Sequence, residues 1–299
     1  MAGVRTTTKQ SVLVTGCSEG GIGYALVLEF QRRGVHVFAT ARNLSKMSSL
    51  QGLPNVTLLS LDVTSSSSIA QAVEKVAAHQ NGRLDYLINN SGSQYVMPIL
   101  DVDIEMAKQM YEVNVWGVVA VTKAFAPLVI EAKGSIINMA SIAGCLYPPW
   151  MGEFKPNYLP LTTNTYASYA NYEGLYAGSK SALATISETL RLEMQPLGVQ
   201  VVTVITGAVS TKLHINAPDH HLPDSSFYIA ASSEIAARVS NEDVPKHSKP
   251  EDFARSLVGD LLAGTSGKVY RGEMASTVRF ASTFLPASFL VCSSEKRSM

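Results

Sequence analysis

Apolar residues along the chain fall into short, nearly continuous runs, separated by stretches in which they recur at every third or fourth position. The first run, residues 11–15 (SVLVT), leads into a glycine cluster and then into residues 22–33, whose apolar positions repeat at helical spacing. Strand-like runs recur at 35–40, 56–61, 84–88, 135–139 and 199–205, with helical segments between them. Strands this apolar must be covered on both faces, and each crossover must pack a helix back onto the sheet. The pattern therefore predicts an α/β fold: one doubly wound domain with a parallel sheet of about seven strands and helices on both faces. The four serines 65–68 begin one of the helices by capping its free N–H groups.

Two stretches break the rhythm. Residues 145–168 hold Pro148, Pro149, Pro156 and Pro160 among several aromatics, and residues 212–250 are rich in Pro, His and Asp with one helical piece near 229–239. Both read as long loops on the working edge of the sheet, where such loops serve as lids, binding surfaces or insertions.

Composition narrows the function. With 299 residues, 46% of them hydrophobic and 16% charged, the chain is not disordered and can bury a core without disulfides or metals. The 24 Lys+Arg balance 24 Asp+Glu, so there is no net field to steer the protein onto nucleic acid, which disfavours a nucleic-acid partner. Cys17, Cys145 and Cys292 lie far apart without CxxC spacing, which suggests neither a zinc site nor a disulfide framework and fits a reducing compartment. Residues 1–10 are polar and carry no apolar signal core, so a cytoplasmic location is expected. The apolar stretches fall short of the roughly 20 residues of a membrane span, which argues against a spanning helix.

Between the first strand and first helix stands Thr15-Gly16-Cys17-Ser18-Glu19-Gly20-Gly21-Ile22-Gly23. Glycine there permits positive φ and close backbone approach to a pyrophosphate, which would sit on the helix N-terminus. The second strand ends in Phe38-Ala39-Thr40-Ala41-Arg42 and supplies no acid for a ribose 2′-hydroxyl. Arg42 can instead make a bidentate, charge-assisted contact with a 2′-phosphate, which favours NADP(H) over NAD.

The glycine turn, Asp62-Val63, Asn89-Asn90-Ser91-Gly92, Asn114, Ser141 and Tyr176-Ala177-Gly178-Ser179-Lys180 occur in an order that resembles the short-chain dehydrogenases/reductases, over about residues 10–270. The resemblance implies a Rossmann-type NADP-binding domain and a C-terminal extension at 271–299. It also implies a catalytic tetrad of Asn114, Ser141, Tyr176 and Lys180. Asp62 and Val63 would contact adenine and Asn89 would brace the sheet. Gly16, Ser18, Gly21, Ile22, Gly23, Lys180, Val209 and Thr211 would complete the cofactor site. The physical case for the tetrad stands beside this: Tyr176 and Lys180 are four apart in a helical pattern over 175–194 and so share a face. An ammonium near a phenol favours the phenolate, and each unit taken off a tyrosine pKa of about 10 supplies roughly 1.4 kcal/mol towards proton exchange near neutral pH. Tyr176 would then be the acid for carbonyl reduction, with Ser141 on the carbonyl oxygen and Asn114 holding a water that links Lys180 to solvent.

The sequence also departs from the family. The glycine turn has one residue more than usual, so either Gly20 or Gly21 could take the central role. Thr206-Gly207 stands where Pro-Gly is common. Ser141 and Tyr176 are 35 positions apart, far more than the family has, and residues 145–168 account for 24 of them. That segment is either a substrate lid bearing Trp150, Phe154 and Tyr158 or translated intron sequence. An insertion that distorts the tetrad would leave a protein that binds NADPH without turnover.

The glycine-turn variant, Ala39-Thr40-Ala41-Arg42 and residues 270–280 are similar to the 1-acyldihydroxyacetone-phosphate reductase-like subgroup. This implies reduction of a ketone on a lipophilic or acylated small molecule. Ketoreduction in secondary metabolism and oxidative NADP-dependent alcohol dehydrogenation remain as alternatives. Lys212, Lys246 and Lys249 are the loop cations available to a phosphate. Asp219-His220-His221 with Asp224 is a weak metal pattern, and no metal is expected. Cys17 beside the turn could have a lowered pKa or pack as a small residue. The apolar run 278–292 could lie on a lipid surface, at the endoplasmic reticulum or a lipid droplet, pack on a partner subunit or close the pocket. The family resemblance implies a homo-oligomer.

Overall fold

A computed structural model of the chain describes residues 9–145, 174–213, 221–240 and 246–285. Seven parallel strands form one sheet in the order β3-β2-β1-β4-β5-β6-β7. They are β1 (Ser11–Val14), β2 (His36–Ala41), β3 (Val56–Ser60), β4 (Tyr86–Asn89), β5 (Ser135–Ser141), β6 (Gln200–Thr206) and β7 (Gly267–Arg271). The helices among the described residues are α1 (Ile22–Arg32), α2 (Ser66–His79), α3 (Ile104–Tyr111), α4 (Gly117–Ala132), α5 (Gly174–Met194), α6 (Ser232–Ser240), α7 (Pro250–Leu262) and α8 (Ala275–Phe284). Strand order reverses between β1 and β4, which opens a crevice at their carboxyl ends where ligands of such sheets bind.

Alternation along the strands divides the core. Val12, Val14, Val37, Ile88, Val202 and Val204 face α1 and α7, where Phe30 and Leu257 cover them. Leu13, Leu87, Ile136 and Val201 face the other way, onto Phe125 of α4 and Val76 of α2. Each such fully buried large side chain contributes about 1.5–3 kcal/mol. Ser65 caps α2, its Oγ accepting from the Ser68 amide at 3.3 Å.

Residues Ile104–Ala132 run as one helical stretch of 29 residues, and the most apolar window has a mean hydropathy of 1.7. Length and composition alone would let it cross a membrane, which the separate apolar runs of the sequence did not suggest. Half of that window is buried inside the protein, as a core helix on a parallel sheet must be.

A polar ladder crosses the second core. Asn89 Nδ2 donates to Thr122 Oγ1 at 3.0 Å and to Asn138 Oδ1 at 2.8 Å, and Asn138 Nδ2 donates to Ser187 Oγ at 2.9 Å. The ladder thus links β4 and β5 to α4 and α5. Asn89→Ala would strand two buried acceptors, and a loss of about 1–3 kcal/mol is expected in urea unfolding. An unchanged midpoint would mean that the ladder adds nothing.

Candidate functional site

The crevice begins at the glycine turn. Gly16 (φ +73°) and Gly20 (φ +80°) adopt left-handed conformations, and Gly21 caps α1 in an extended one, with no side chain covering the first-turn amides. Gly20 therefore takes the strained position and Gly21 the cap, a division the sequence left open. A Cβ on Gly23 would lie 2.5 Å from both Gly16 O and Asn90 Nδ2, so the helix can approach the turn only as glycine. Ser18 accepts the Gly21 amide on its backbone carbonyl at 3.2 Å, and Ile22 is the first residue of α1.

Thr15 and Asn90 tie this turn to the end of β4. Thr15 Oγ1 accepts the Asn90 and Ser91 amides, each at 2.9 Å, while Asn90 Nδ2 donates to Thr15 O at 2.8 Å and Gly16 O at 3.0 Å. Sequence reasoning passed over both residues, although Asn90 stands inside the Asn89-Asn90-Ser91-Gly92 motif. Cys17 packs as a core residue: burial pushes its thiol up to about 12, the reverse of activation by a helix N-terminus.

Around the turn, Arg42 is exposed just past the end of β2, and its carbonyl accepts from Ser60 Oγ at 3.4 Å. Asp62 Oδ1 accepts from the Thr64 amide at 2.9 Å and the Thr64 hydroxyl at 2.7 Å, and Val63 is buried against Gly117. From the far side of the crevice, Val209 bridges to Ser248 and Thr211 Oγ1 accepts the Leu213 amide at 3.4 Å. The Lys212 stem lies over Gly20, where a Cβ would meet Lys212 Cε at 3.0 Å. Lys212 therefore belongs to the glycine turn, and Lys246 pairs with Glu273 at 3.6 Å. Bare amides at a helix N-terminus, a cradle that a Cβ would fill, a lysine above it and an arginine beyond β2 fit a dinucleotide phosphate chain.

The four tetrad candidates lie at the next corner. Ser141 closes β5, two residues beyond the apolar run, and its Oγ accepts the Ala143 amide at 3.1 Å. Tyr176 and Lys180 stand one turn apart on α5, with Lys180 Nζ 5.8 Å from the Tyr176 ring centroid. Lys180 is 6% exposed, its Nζ donates to Met139 O at 2.9 Å, and burial lowers its pKa to about 8. Asn114 lies in a one-turn π-helix, Glu112–Trp116, between α3 and α4. Its Nδ2 donates to Ser93 O at 2.9 Å and Ser179 Oγ at 3.1 Å, while its Oδ1 accepts the Ser93 amide at 2.8 Å. A π-turn of this kind often marks a functional site. A point above Gly92 is 3.5 Å from Asn114 Oδ1 and 3.6 Å from Lys180 Nζ, so both polar groups border one small space. Ser93 holds Asn114 through its own main chain, which leaves no sequence signal, and Ser179, inside the quoted Tyr176–Lys180 motif, accepts from Asn114 on Oγ while donating to Tyr176 O at 2.7 Å.

Residues 146–173 lie outside the described residues, including Trp150, Phe154 and Tyr158. The flanks on either side nonetheless meet. Ala143 packs with Tyr176, and Gly144 runs so close to α5 that a Cβ would lie 2.6 Å from the Ser181 amide. Ser141 and the Tyr176–Lys180 turn are thereby held together. Tyr95, Met97, Met110 and, at the edge, Leu175 and Leu222 surround them with an apolar wall. Among the described residues no three His, Cys, Asp or Glu side chains gather as for a metal, and Asp219 and His220 lie outside them. Of the C-terminal run, Val278 is buried while Phe280 and Phe284 are exposed with rings 5.2 Å apart, and residues 286–299 lie outside the description.

Known proteins resemble this chain in sequence and in fold. The family model for short chain dehydrogenase matches residues 10–154. "Short-chain dehydrogenase ptmH" of Penicillium ochrochloron is 41% identical over 278 residues, covering 93% of this chain and 94% of the relative. An "NADPH-dependent 1-acyldihydroxyacetone phosphate reductase" of Schizosaccharomyces pombe is 38% identical over 255 residues, covering 84% and 78%. Among solved structures, a short-chain dehydrogenase from Streptomyces avermitilis superposes with a TM-score of 0.70 at 25% identity, covering 91% of each chain. One from Burkholderia cenocepacia, solved with NADP, superposes at 0.67 and 23% identity, covering 92% and 94%. With relatives this similar over nearly its whole length, the chain belongs to the short-chain dehydrogenase/reductase family of oxidoreductases, which use nicotinamide cofactors.

Proposed function

We propose that the protein is an NADPH-dependent carbonyl reductase acting on a ketone of a lipophilic molecule, with Tyr176 as general acid. The observation that carries this reading is the buried Lys180, fixed to Met139 O and held over the Tyr176 ring in an apolar corner. An ammonium there stabilises the phenolate that remains once Tyr176 has given its proton to the carbonyl oxygen. Ser141 Oγ takes the Ala143 amide on a lone pair, which leaves its own proton to donate to the same oxygen. NADPH, when bound, would supply the hydride. Asn114 Oδ1 and Lys180 Nζ border the space above Gly92, where a water would return a proton through Lys180. Asp62, Val63 and Asn89 frame the adenine side and back of the crevice, with Val209 and Thr211 opposite.

NADPH is favoured because Arg42 is exposed where the 2′-phosphate would lie and no acid ends β2. Arg42→Asp is expected to weaken NADPH binding at least tenfold, as loss of a charge-assisted contact does, with thermal stability unchanged. Unchanged affinity would mean that Arg42 does not read the phosphate. The apolar wall around Tyr176 and the Schizosaccharomyces relative both support a lipophilic ketone.

The deciding experiment measures NADPH and NADH consumption against acyldihydroxyacetone phosphate and a set of lipophilic cyclic and β-keto compounds. Turnover of an apolar ketone with NADPH is expected. Preference for NADH, or NADPH binding without turnover of any ketone, would overturn the reading. Exposed Trp116 and Val119 on the α3–α4 run and Leu192 on α5 are the surfaces on which a second copy would pack.

A further inference from the structure

Gly178 stands inside the Tyr176–Lys180 turn of α5, a helix of 21 residues. Glycine in a helix interior is a cost, since it orders a freer backbone and leaves the main chain uncovered, so something must gain from the missing side chain. The notch is filled by a phenol: a Cβ on Gly178 would come 2.7 Å from Tyr111 Oη, well inside ordinary non-bonded contact. By helical geometry this flank of α5 is turned away from Tyr176 and Lys180, so Tyr111 meets the turn from behind. Tyr111 is the last residue of α3, and it packs against the cluster that holds Met110, Ala143 and Tyr176, which limits how far its ring can swing aside. Burial raises its pKa, so it stays a neutral spacer and brings no charge to compete with Lys180. The next residues of the turn are gripped as well. Asn114 Nδ2 donates to Ser179 Oγ at 3.1 Å, and Gly144 sits against the main chain of Lys180 and Ser181 from the turn after β5.

The geometry points to Tyr111 as a positioning residue: its phenol, seated at Gly178, sets the distance between α3 and α5 and with it the placement of the Tyr176–Lys180 turn against β5. The assignment rests on the reading above that this turn carries the proton chemistry. Displacing the turn draws Lys180 Nζ away from Met139 O and from its place near the Tyr176 ring. The ammonium then stabilises the phenolate less, and the phenol keeps its proton to higher pH.

A double-variant cycle on the full-length protein tests this, read as kcat for ketone reduction across pH, with NADPH affinity and melting temperature measured on the same preparations. Helix propensity alone would make Gly178→Ala neutral or stabilising. Its methyl against the Tyr111 hydroxyl is expected instead to lower kcat about tenfold and move the alkaline limb of the kcat profile to higher pH, with NADPH affinity unchanged. Tyr111→Phe alone, which empties the notch, is expected to lower kcat about threefold. In the double variant the added methyl takes the place of the lost hydroxyl, and both kcat and the pH limb are expected to return to wild type. Should Gly178→Ala fold poorly, Tyr111→Ala probes the contact from the other side, with the same movement of the pH limb expected at unchanged NADPH affinity. An unchanged kcat in Gly178→Ala, a loss that Tyr111→Phe does not relieve, or a loss that follows melting temperature or NADPH affinity with the pH limb in place would each overturn the assignment. Failure of the wild-type protein to reduce any ketone would instead overturn the reading of the turn, and this inference with it.

Discussion

Tyr176→Phe is expected to lower kcat for ketone reduction by about 10²–10⁴, the usual worth of a positioned general acid, while NADPH binds as before. The phenylalanine ring keeps the contacts that hold Tyr176 in place: Ala143 from the turn after β5, and Tyr95, Met97 and Met110 from the opposite wall. Lys180 still stands over the ring, so the variant differs from wild type only in the hydroxyl. Single-turnover hydride transfer and NADPH titration on the same preparation distinguish the outcomes. A rate within tenfold of wild type would mean that the proton comes from another group, and a matching loss of NADPH affinity would mean that the residue shapes the cofactor site.

Lys180→Met should abolish turnover and yet yield a more stable protein. Burial lowers the Lys180 pKa from 10.5 to about 8, so the charged form is disfavoured in the folded state. The unfolded chain holds this proton up to its own higher pKa. Between about pH 8 and 10.5 the unfolded state therefore binds more protons, and stability rises with pH across that window. Below pH 8 the full cost of the buried charge is present, on the order of 3 kcal/mol. Methionine removes that cost but leaves Met139 O without its donor, which offsets about 1–2 kcal/mol of the gain. Urea unfolding at pH 7 is expected to show the variant more stable by about 1–2 kcal/mol, and the rise towards pH 10 should disappear. A variant less stable at pH 7 would show that the lysine is held at no cost. The wild-type protein thus carries destabilising strain at the point where the proposed chemistry needs charge.

Much of this architecture is legible in the chain. The runs at 11–15, 35–40, 56–61, 84–88, 135–139 and 199–205 became strands β1 to β6 because central parallel strands are apolar on both faces. β7 gave no such run. It is an edge strand, Gly267–Arg271, in which only Val269 is buried, so its polar residues hid it. The piece near 229–239 became a short 3-10 turn followed by α6. Within the candidate site, Tyr176 and Lys180 could be paired from spacing, since helical geometry fixes which residues share a face. The division of labour between Gly20 and Gly21 could not, because it depends on which backbone takes the positive φ. Nor could the π-turn at Asn114, which is defined by backbone hydrogen bonding that the side-chain pattern does not report. Contacts to main-chain atoms, such as Lys180 on Met139 O and Asn114 on Ser93, have no sequence signature at all.

The close seating of Gly144 on α5 bears on how the chain tolerates a long connection between β5 and α5. Gly144 sits against the main chain of Lys180 and Ser181, so the end of β5 and α5 are fixed to one another by contacts within the scaffold. Closing a longer connection between fixed ends costs only about 0.6 kcal/mol per doubling of its length. A connection of another length at this position is therefore expected to leave the register of Ser141 and Tyr176 unchanged, because the scaffold sets it.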